Sequence, residues 1–592
     1  MPTDSRFALF DGDDGSAVLL TDYRYCVCFD GSVDLMASFA AIEAAAANGD
    51  WVALAVDYAL GARFEPALAA SPTGQASLRA WIFGRSERLD SGAVDRFLAA
   101  SLAQLPEHER TAGVADLSSS LDATSYAAAV EQIRRWIVDG ECYQINFTFP
   151  LTFRFYGHPL ALYAHLRRRQ PVRYGGYIAT PEETLLSFSP ELFFERCGDR
   201  VVTRPMKGTA PRAATCTEDE ATRDALLASE KERAENLMIV DLLRNDLGRL
   251  ALPGKVRVER LFEAEAYPTL WQMVSTVSAD LPDARLYDLF RALFPCGSIT
   301  GAPKIRAMQH IAALESAARG LYTGAFGWLA PGGDCRFNVA IRTLELANDR
   351  RGKLGVGSGV VIDADPASEY AECLLKAKFL TDFDPGYKLI ETLRLENGAY
   401  PLLPLHLERL KASAHTLGFA CALEQVSAML LRESARNPNG VFRVRLTLAH
   451  DGECLLDSQP LPVDDGRPWR VVIASEALDP ADYLLRHKTT ARDRYNRALA
   501  DLADRPVVFD AIFLNTCGEV CEGARSNVFV ERNGVLLTPP LACGVLPGVM
   551  RRQLLESGRA VEQLLRLDDL RTAPALYVAN ALRGLIAVTL ER

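Results

Sequence analysis

The chain has 592 residues, 49% hydrophobic and 24% charged, the balance of a globular protein with apolar material for several domain-sized cores. Lys plus Arg number 65 and Asp plus Glu 76, a formal net charge of -11. With no strong basic block, this excludes a nucleic-acid or anionic-membrane binder.

No apolar run is long enough to span a bilayer, and residues 1–6 lack the basic and apolar regions of a secretory leader, so a cytoplasmic protein is expected. The 13 cysteines are scattered without the doubled spacing of a zinc site and read as free thiols of a reducing compartment. In chain order, Ala129, Val130, Ile133, Trp136 and Ile137 share one helical face and predict a helix over 126–140. Residues 142–153 are β-rich, 229–250 form a long amphipathic helix, 354–362 read as a Gly-interrupted strand, and a helix starts at 367. Strand-rich stretches mixed with long helices, without regular alternation, predict an α+β first part. A seam lies at Thr381-Asp-Phe-Asp-Pro-Gly386, followed by an alternating strand and the turn signal Glu396-Asn397-Gly398. The remainder mixes strands (442–448, 469–474, 511–515, 528–530) with helices (406–417, 547–557). The expected divisions are 1–120, 121–382 and 386–592.

Two Gly-rich stretches invite nucleotide readings, and both fail. Gly297-Ser-Ile-Thr-Gly301-Ala-Pro-Lys304 has the wrong spacing for a P-loop, and Pro303 removes a backbone donor where the cradle needs one. Gly355-Val-Gly357-Ser-Gly359 has Val360 where a dinucleotide fingerprint needs its third glycine. The carboxylates say more. Glu369, Glu372 and Lys376 project from one face of a predicted helix, as do Glu232 and Glu235 of another. Alone, each is a solvated face. If the two helices meet, their hard oxygen ligands suit Mg²⁺ with an anionic substrate.

The segments Ser189-Pro-Glu-Leu-Phe-Phe194, Arg204-Pro-Met-Lys-Gly-Thr209, the run from Glu232 to Asp246, Phe294-Pro-Cys-Gly-Ser-Ile-Thr-Gly-Ala-Pro-Lys304 and Gly357-Ser-Gly-Val-Val361, in this order and with the Glu369–Lys376 helix, resemble the chorismate-utilising enzymes. That group includes the first components of anthranilate synthase and aminodeoxychorismate synthase. Residues 1–120 carry only weak resemblance, around 51–66. The resemblance implies packed antiparallel sheets with outer helices and a Mg²⁺ that bridges substrate and protein carboxylates. Glu235 and Glu372 match its ligands, and Glu369 is a nearby acid. Arg342 matches the arginine that takes a substrate carboxylate, for which a guanidinium fork is well shaped. Thr300, Tyr322, Gly357, Gly359 and Lys376 match other chorismate-contacting positions, the glycines permitting close backbone approach.

Lys207 discriminates within the group. Anthranilate synthases carry a small residue at its position, whereas aminodeoxychorismate synthases carry a lysine whose amine attacks the chorismate ring and is later displaced by ammonia. Such an amine must lose its proton, which desolvation favours. Glu191 matches the general acid/base that helps the hydroxyl leave. Gln272 stands where relatives often have His. No glutaminase signature is present, so a separate glutamine amidotransferase subunit is expected to supply ammonia.

The last third resembles the class IV pyridoxal-phosphate enzymes, which include branched-chain aminotransferases and aminodeoxychorismate lyase. The matching pieces are Leu389-Ile-Glu-Thr-Leu393, His406-Leu-Glu-Arg-Leu410, His487-Lys-Thr-Thr490, Glu522-Gly-Ala-Arg-Ser-Asn-Val-Phe529 and Gly544-Val-Leu-Pro-Gly548. The resemblance implies a two-subdomain α/β unit that dimerises and holds pyridoxal phosphate. Lys488 would form the internal aldimine and Glu522 pair with the pyridinium nitrogen. Arg409 and the backbone at Val549 and Met550 would hold the phosphate, although Met550 replaces a common Thr. Together the halves imply para-aminobenzoate synthesis from chorismate and ammonia. The rivals are an anthranilate synthase fused to an aminotransferase, an isochorismate- or salicylate-forming enzyme, and an inactive scaffold.

Overall fold

The computed structural model describes residues 6–68, 77–267, 270–462 and 466–591, which divide into two compact units. The first is built from residues up to Gln104, Ser118–Phe153 and Leu162–Thr381. The second is built from Leu105–Leu117, Arg154–Ala161 and the chain from Asp382 onward. Among the described residues, no helix is long and apolar enough to cross a membrane. The alanine-rich residues Leu35–Ala47 form a helix that Asp34 caps by accepting from the Ala37 N–H.

The first unit holds antiparallel strands of an 18-stranded sheet, as the α+β reading expects. From Leu78–Leu89, one arm runs through Trp51–Val56, Ala325–Leu329, Cys335–Val339, Leu192–Cys197 and Arg200–Arg204 to Leu270–Asp280. The other runs through Ala17–Phe29, Phe7–Asp11, Gly176–Ala179, Glu183–Ser187 and Thr343–Ala347 to Arg351–Val360. Strands buried on both faces are near-continuously apolar. Val52–Val56 have no residue exposed, and that pattern hides the alternation that marks a half-exposed strand. A core of interlocking aromatic rings, Phe193, Phe194, Phe290, Phe294 and Phe337, lies between sheet and helices. The helices Glu230–Gly248 and Pro366–Thr381 flank the sheet. Ser229 caps the former by accepting from the Glu232 N–H.

In the second unit, Leu389–Glu396, Val441–Leu448 and Cys454–Pro460 form a three-stranded antiparallel sheet. Its apolar face carries Leu389, Leu393, Val444 and Leu446 against the helix Leu403–Leu417. A mixed eight-stranded sheet makes the other layer, with Trp469–Ile473 running parallel to both Val508–Leu514 and Gly584–Leu590.

One buried ion pair organises the first unit beneath its strand ends. Arg319 donates to Glu315 at 2.8 Å, to the Asn146 carbonyl at 2.7 Å and to the Ile299 carbonyl at 3.2 Å. Glu315 also accepts from the Thr148 N–H and hydroxyl, both at 2.9 Å. Removing one partner strands the other charge in the interior. Arg319→Met should therefore destabilise the first unit by ~3–5 kcal/mol, read as a lower urea midpoint by tryptophan fluorescence. A midpoint unchanged from wild type would deny the pair this role.

Candidate active sites

The strand Arg351–Val360 carries the glycines of the first site. A Cβ on Gly357 would lie 2.6 Å from the Phe147 carbonyl, and one on Gly359 would lie 2.5 Å from the Gln144 amide and 3.5 Å from the Lys207 Nζ. The amine of Lys207, on the strand Met206–Pro211, thus stands directly over Gly359. Only the missing side chain leaves space there. Lys376 donates to the Gly357 carbonyl at 2.9 Å and pairs with Glu372 at 2.7 Å. Ser358 points the other way, into the interior, hydrogen-bonded to Tyr126 at 2.7 Å. Burial lowers the Lys207 pKa and Lys376 lowers it further, against the pull of Glu235, Glu191 and Glu372.

Glu191 occupies the break between Glu183–Ser187 and Leu192–Cys197. It is buried and accepts from the Ser298 hydroxyl at 2.6 Å. Burial pushes its carboxyl up to about 7, opposed by Ser298, Lys207 and Lys376, so it is half protonated near neutral pH. Ser298 lies on the same Gly297–Ile299 turn that leads to Thr300, whose hydroxyl donates to the Cys296 carbonyl at 2.8 Å. Tyr322 is buried, and its ring would be struck by a Cβ on Gly355 at 2.1 Å. Positions 355 and 359 project to the same face of the strand, so Tyr322 stands on the Lys207 side of it, further along. Arg342 has φ +50, a left-handed conformation rare outside glycine. Its guanidinium has no hydrogen-bond or ion-pair partner among the described residues, and burial lowers its pKa. An unpaired, largely desolvated guanidinium is a ready anion site.

Glu235 and Glu372 face the same space from two helices, since both act on the Lys207 amine. Glu232, outside the expected set, joins them. Its carboxylate would lie 2.8 Å from a Cβ on Gly208, and burial and Glu235 raise its pKa. The sequence pairs them already: Glu232 and Glu235 repeat the spacing of Glu369 and Glu372. Burial likewise raises Glu369, against a bond from Ser358. Among the described residues, no three acidic, His or Cys side chains close into a metal cage. Carboxylates held apart but mutually repelling fit a Mg²⁺ that takes one or two of them and completes its shell from water and substrate. Gln272 donates to the Gly208 carbonyl at 2.9 Å, and so fixes the backbone beside Lys207.

The second site lies in the second unit. Lys488 follows a loop whose end docks on the edge of Leu389–Glu396: the Ile390 N–H donates to the Lys488 carbonyl and the Thr490 N–H to the Lys388 carbonyl, each at 2.9 Å. Burial, then Arg492 and Arg409, brings the Lys488 amine down to about 7. Glu522, on Val520–Gly523, accepts from Tyr495 at 2.7 Å and from the Leu546 N–H at 2.9 Å, and burial pushes it up to about 7. Arg409 donates twice to Glu391, at 2.8 and 2.6 Å, and once to the Pro547 carbonyl at 3.2 Å. It therefore stands beside the start of the helix Val549–Glu556. Glu391 was missed as a functional position. It sits among the apolar residues of a strand, and only Arg409 and His406, the latter at 2.6 Å, make that tolerable. Burial alone would raise its pKa, yet these partners hold it at about 2. A free amine, a buried carboxyl and a guanidinium beside a helix start fit a pyridoxal phosphate. The Met550 side chain packs with Phe529, Leu554 and Ala579, so only its backbone is available to a phosphate.

Residues 32–382 match the family model described as chorismate binding enzyme, and residues 388–590 match Amino-transferase class IV. The chain is 42% identical over 253 residues to aminodeoxychorismate synthase component 1 of Bacillus subtilis, covering 43% of this chain and 54% of that protein. It is 39% identical over 270 residues to anthranilate synthase component 1 3 of Haloarcula marismortui, covering 45% and 54%. The chain thus spans about half the length of the curated relatives it matches. The crystal structure of anthranilate synthase component I from Streptococcus pneumoniae shares its fold, with a TM-score of 0.54 and 24% identity over 62% of this chain and 92% of that one. Matched over more than half its length, with the glycine strand and facing carboxylates of the first unit inside that match, the chain belongs to the chorismate binding enzyme family.

Proposed function

We infer that the protein makes para-aminobenzoate. The first unit would aminate chorismate to aminodeoxychorismate, and the second would eliminate pyruvate from it. The observation that carries this reading is the Lys207 amine over Gly359, partly stripped of water and facing Glu191. A small residue there would leave the same pocket without a nucleophile.

Arg342 would bind a substrate carboxylate, with Gly357 and Gly359 passing the ring close to the strand. Glu235 and Glu372, with Glu232 and Glu369 behind them, would hold Mg²⁺, which when bound neutralises the second substrate carboxylate. Lys207 Nζ forms a bond to the ring carbon as the ring hydroxyl departs as water, with its proton from Glu191. Ammonia then takes that carbon and frees Lys207. The name component 1 borne by relatives fits a separate amidotransferase subunit as the ammonia source.

In the second unit, Lys488, Glu522, Arg409 and the N–H groups of Val549 and Met550 would hold pyridoxal phosphate, which supplies an electron sink. Glu522 keeps a proton at the ring nitrogen, and its carboxyl near 7 suits sharing one. Lys488 Nζ carries the proton removed from the substrate ring to the departing enolpyruvyl group. We further propose a homodimer through this unit and action in the cytoplasm, where the free cysteines stay reduced.

Incubation with chorismate, ammonium, Mg²⁺ and pyridoxal phosphate should yield the para isomer of aminobenzoate. The ortho isomer would transfer the protein to the anthranilate branch. Lys207→Ala should lower aminodeoxychorismate formation by roughly 10³-fold or more while chorismate still binds, and a normal rate would rule out the covalent route. Lys488→Ala should let aminodeoxychorismate accumulate and abolish the yellow absorbance of the lysine-bound cofactor. The free amine of Lys488 is the reactive form, so capture of pyridoxal phosphate by the apoprotein should rise about tenfold per pH unit up to about pH 7 and then level. A rise continuing toward pH 10 would show an ordinary surface lysine.

A further inference from the structure

The chain that builds the second unit does not begin at the seam. Leu105–Leu117 and Arg154–Ala161 belong to it, although both lie inside the residues matched as chorismate binding enzyme. They reach the core of the small sheet, where Ala115 and Tyr156 are buried with Tyr387, Leu389 and Leu484. The Tyr156 and Tyr387 hydroxyls bond at 2.6 Å. A Cβ at position 113 would overlap the Tyr156 hydroxyl, so Gly113 is what admits the ring.

Both segments converge on the turn that precedes the reactive lysine. Tyr483–Arg486 form one short helical turn, and the His487 N–H donates back to the Leu484 carbonyl at 3.0 Å. The Tyr483 ring stacks on Tyr156, 6.0 Å between centroids and 6° from parallel. Its hydroxyl donates to the Asp116 carboxylate at 3.0 Å, a charge-assisted bond of the stronger kind. Asp116 receives it from a left-handed backbone, φ +54, which Asp adopts more readily than most residues. Upstream of the turn, His108 Nε2 lies 3.5 Å from the Asp479 carboxylate. Beyond the lysine, Arg497 donates to Glu107 at 3.0 and 2.8 Å. Lys488 is therefore held from two directions. After it, Thr489 and Thr490 pair with the start of the strand Leu389–Glu396. Before it, Tyr483 is fixed by chain that lies more than 300 residues earlier.

Resting on the pyridoxal reading of this unit, we propose that Asp116 is a positioning residue for Lys488, acting through Tyr483. An amine that must meet both the cofactor and a substrate proton loses rate steeply when its backbone shifts, so the turn's anchor bears on kcat more than on binding. The two activities are then inseparable at the seam. A chain starting at Gly386 would keep every residue matched as Amino-transferase class IV and still lack the anchor of its lysine.

The test uses the full chain loaded with pyridoxal phosphate. Aminodeoxychorismate is supplied for the second reaction, and chorismate with ammonium for the first. Asp116→Ala should lower kcat for pyruvate release by roughly 10- to 100-fold, with KM and chorismate consumption close to wild type. Tyr483→Phe keeps the stacked ring and loses the donor, so it should reproduce that loss, and it carries the test if Asp116→Ala folds poorly. The double variant should be no worse than either single one, because both remove the same bond. Asp116→Asn keeps an acceptor and tolerates the left-handed backbone, and should restore most of kcat. Unchanged kcat in both Asp116→Ala and Tyr483→Phe would overturn the positioning role. Losses that multiply in the double variant, or an equal fall in chorismate consumption, would also overturn it, by reducing the contact to general stability. Wild-type protein without the yellow absorbance would instead strike the pyridoxal reading itself.

Discussion

Both sites rest on one constraint: ionisable groups withdrawn from water and given fewer partners than burial demands. Glu191 and Glu522 have carboxyls near 7 because burial outweighs the hydrogen bonds they receive. Lys207 and Lys488 are displaced the opposite way for the same reason. Each arrangement costs folding free energy, since burial here disfavours the charged form more than its partners favour it. The rest of the molecule offsets that cost with apolar cores and with ion pairs that are fully satisfied.

The contrast with those satisfied pairs is instructive. Arg319 and Glu315 bond to each other, to backbone and to the Thr323 and Thr148 hydroxyls, and Glu391 is held by Arg409 and His406. These are fixed geometry. Charges that remain available, such as Arg342 and Lys207, lack such partners. The difference between a structural and a reactive charge is thus largely a difference in partner count.

Much of this was legible in the sequence where one signal sufficed. The helix 230–248 announces itself through Ser229 and its acidic first turn, and Pro366–Thr381 through its spaced carboxylates. The strand 441–448 shows clean alternation because only one face is covered. The doubly buried strand 51–56 does not alternate at all, so periodicity gave no strand there. Glu232 was legible with Glu235 as one carboxylate-bearing helix face, though not as a ligand the resemblance implies. Glu391 stood in a quoted motif but looked like one more polar residue, because its importance depends on Arg409 and His406, which only folding brings to it.

The three residues 488–490 lie as a short extra strand along Leu389–Glu396. Alternation makes that pairing unforgiving: a slip of one position would exchange Lys488 with Thr489, turning the amine into the apolar core and the hydroxyl toward the site. An insertion or deletion between Lys488 and Arg492 would thus silence the lysine without altering a single reactive residue. The same docking sheathes an otherwise open sheet margin, so the segment that presents the amine also guards the unit against sticking to its neighbours.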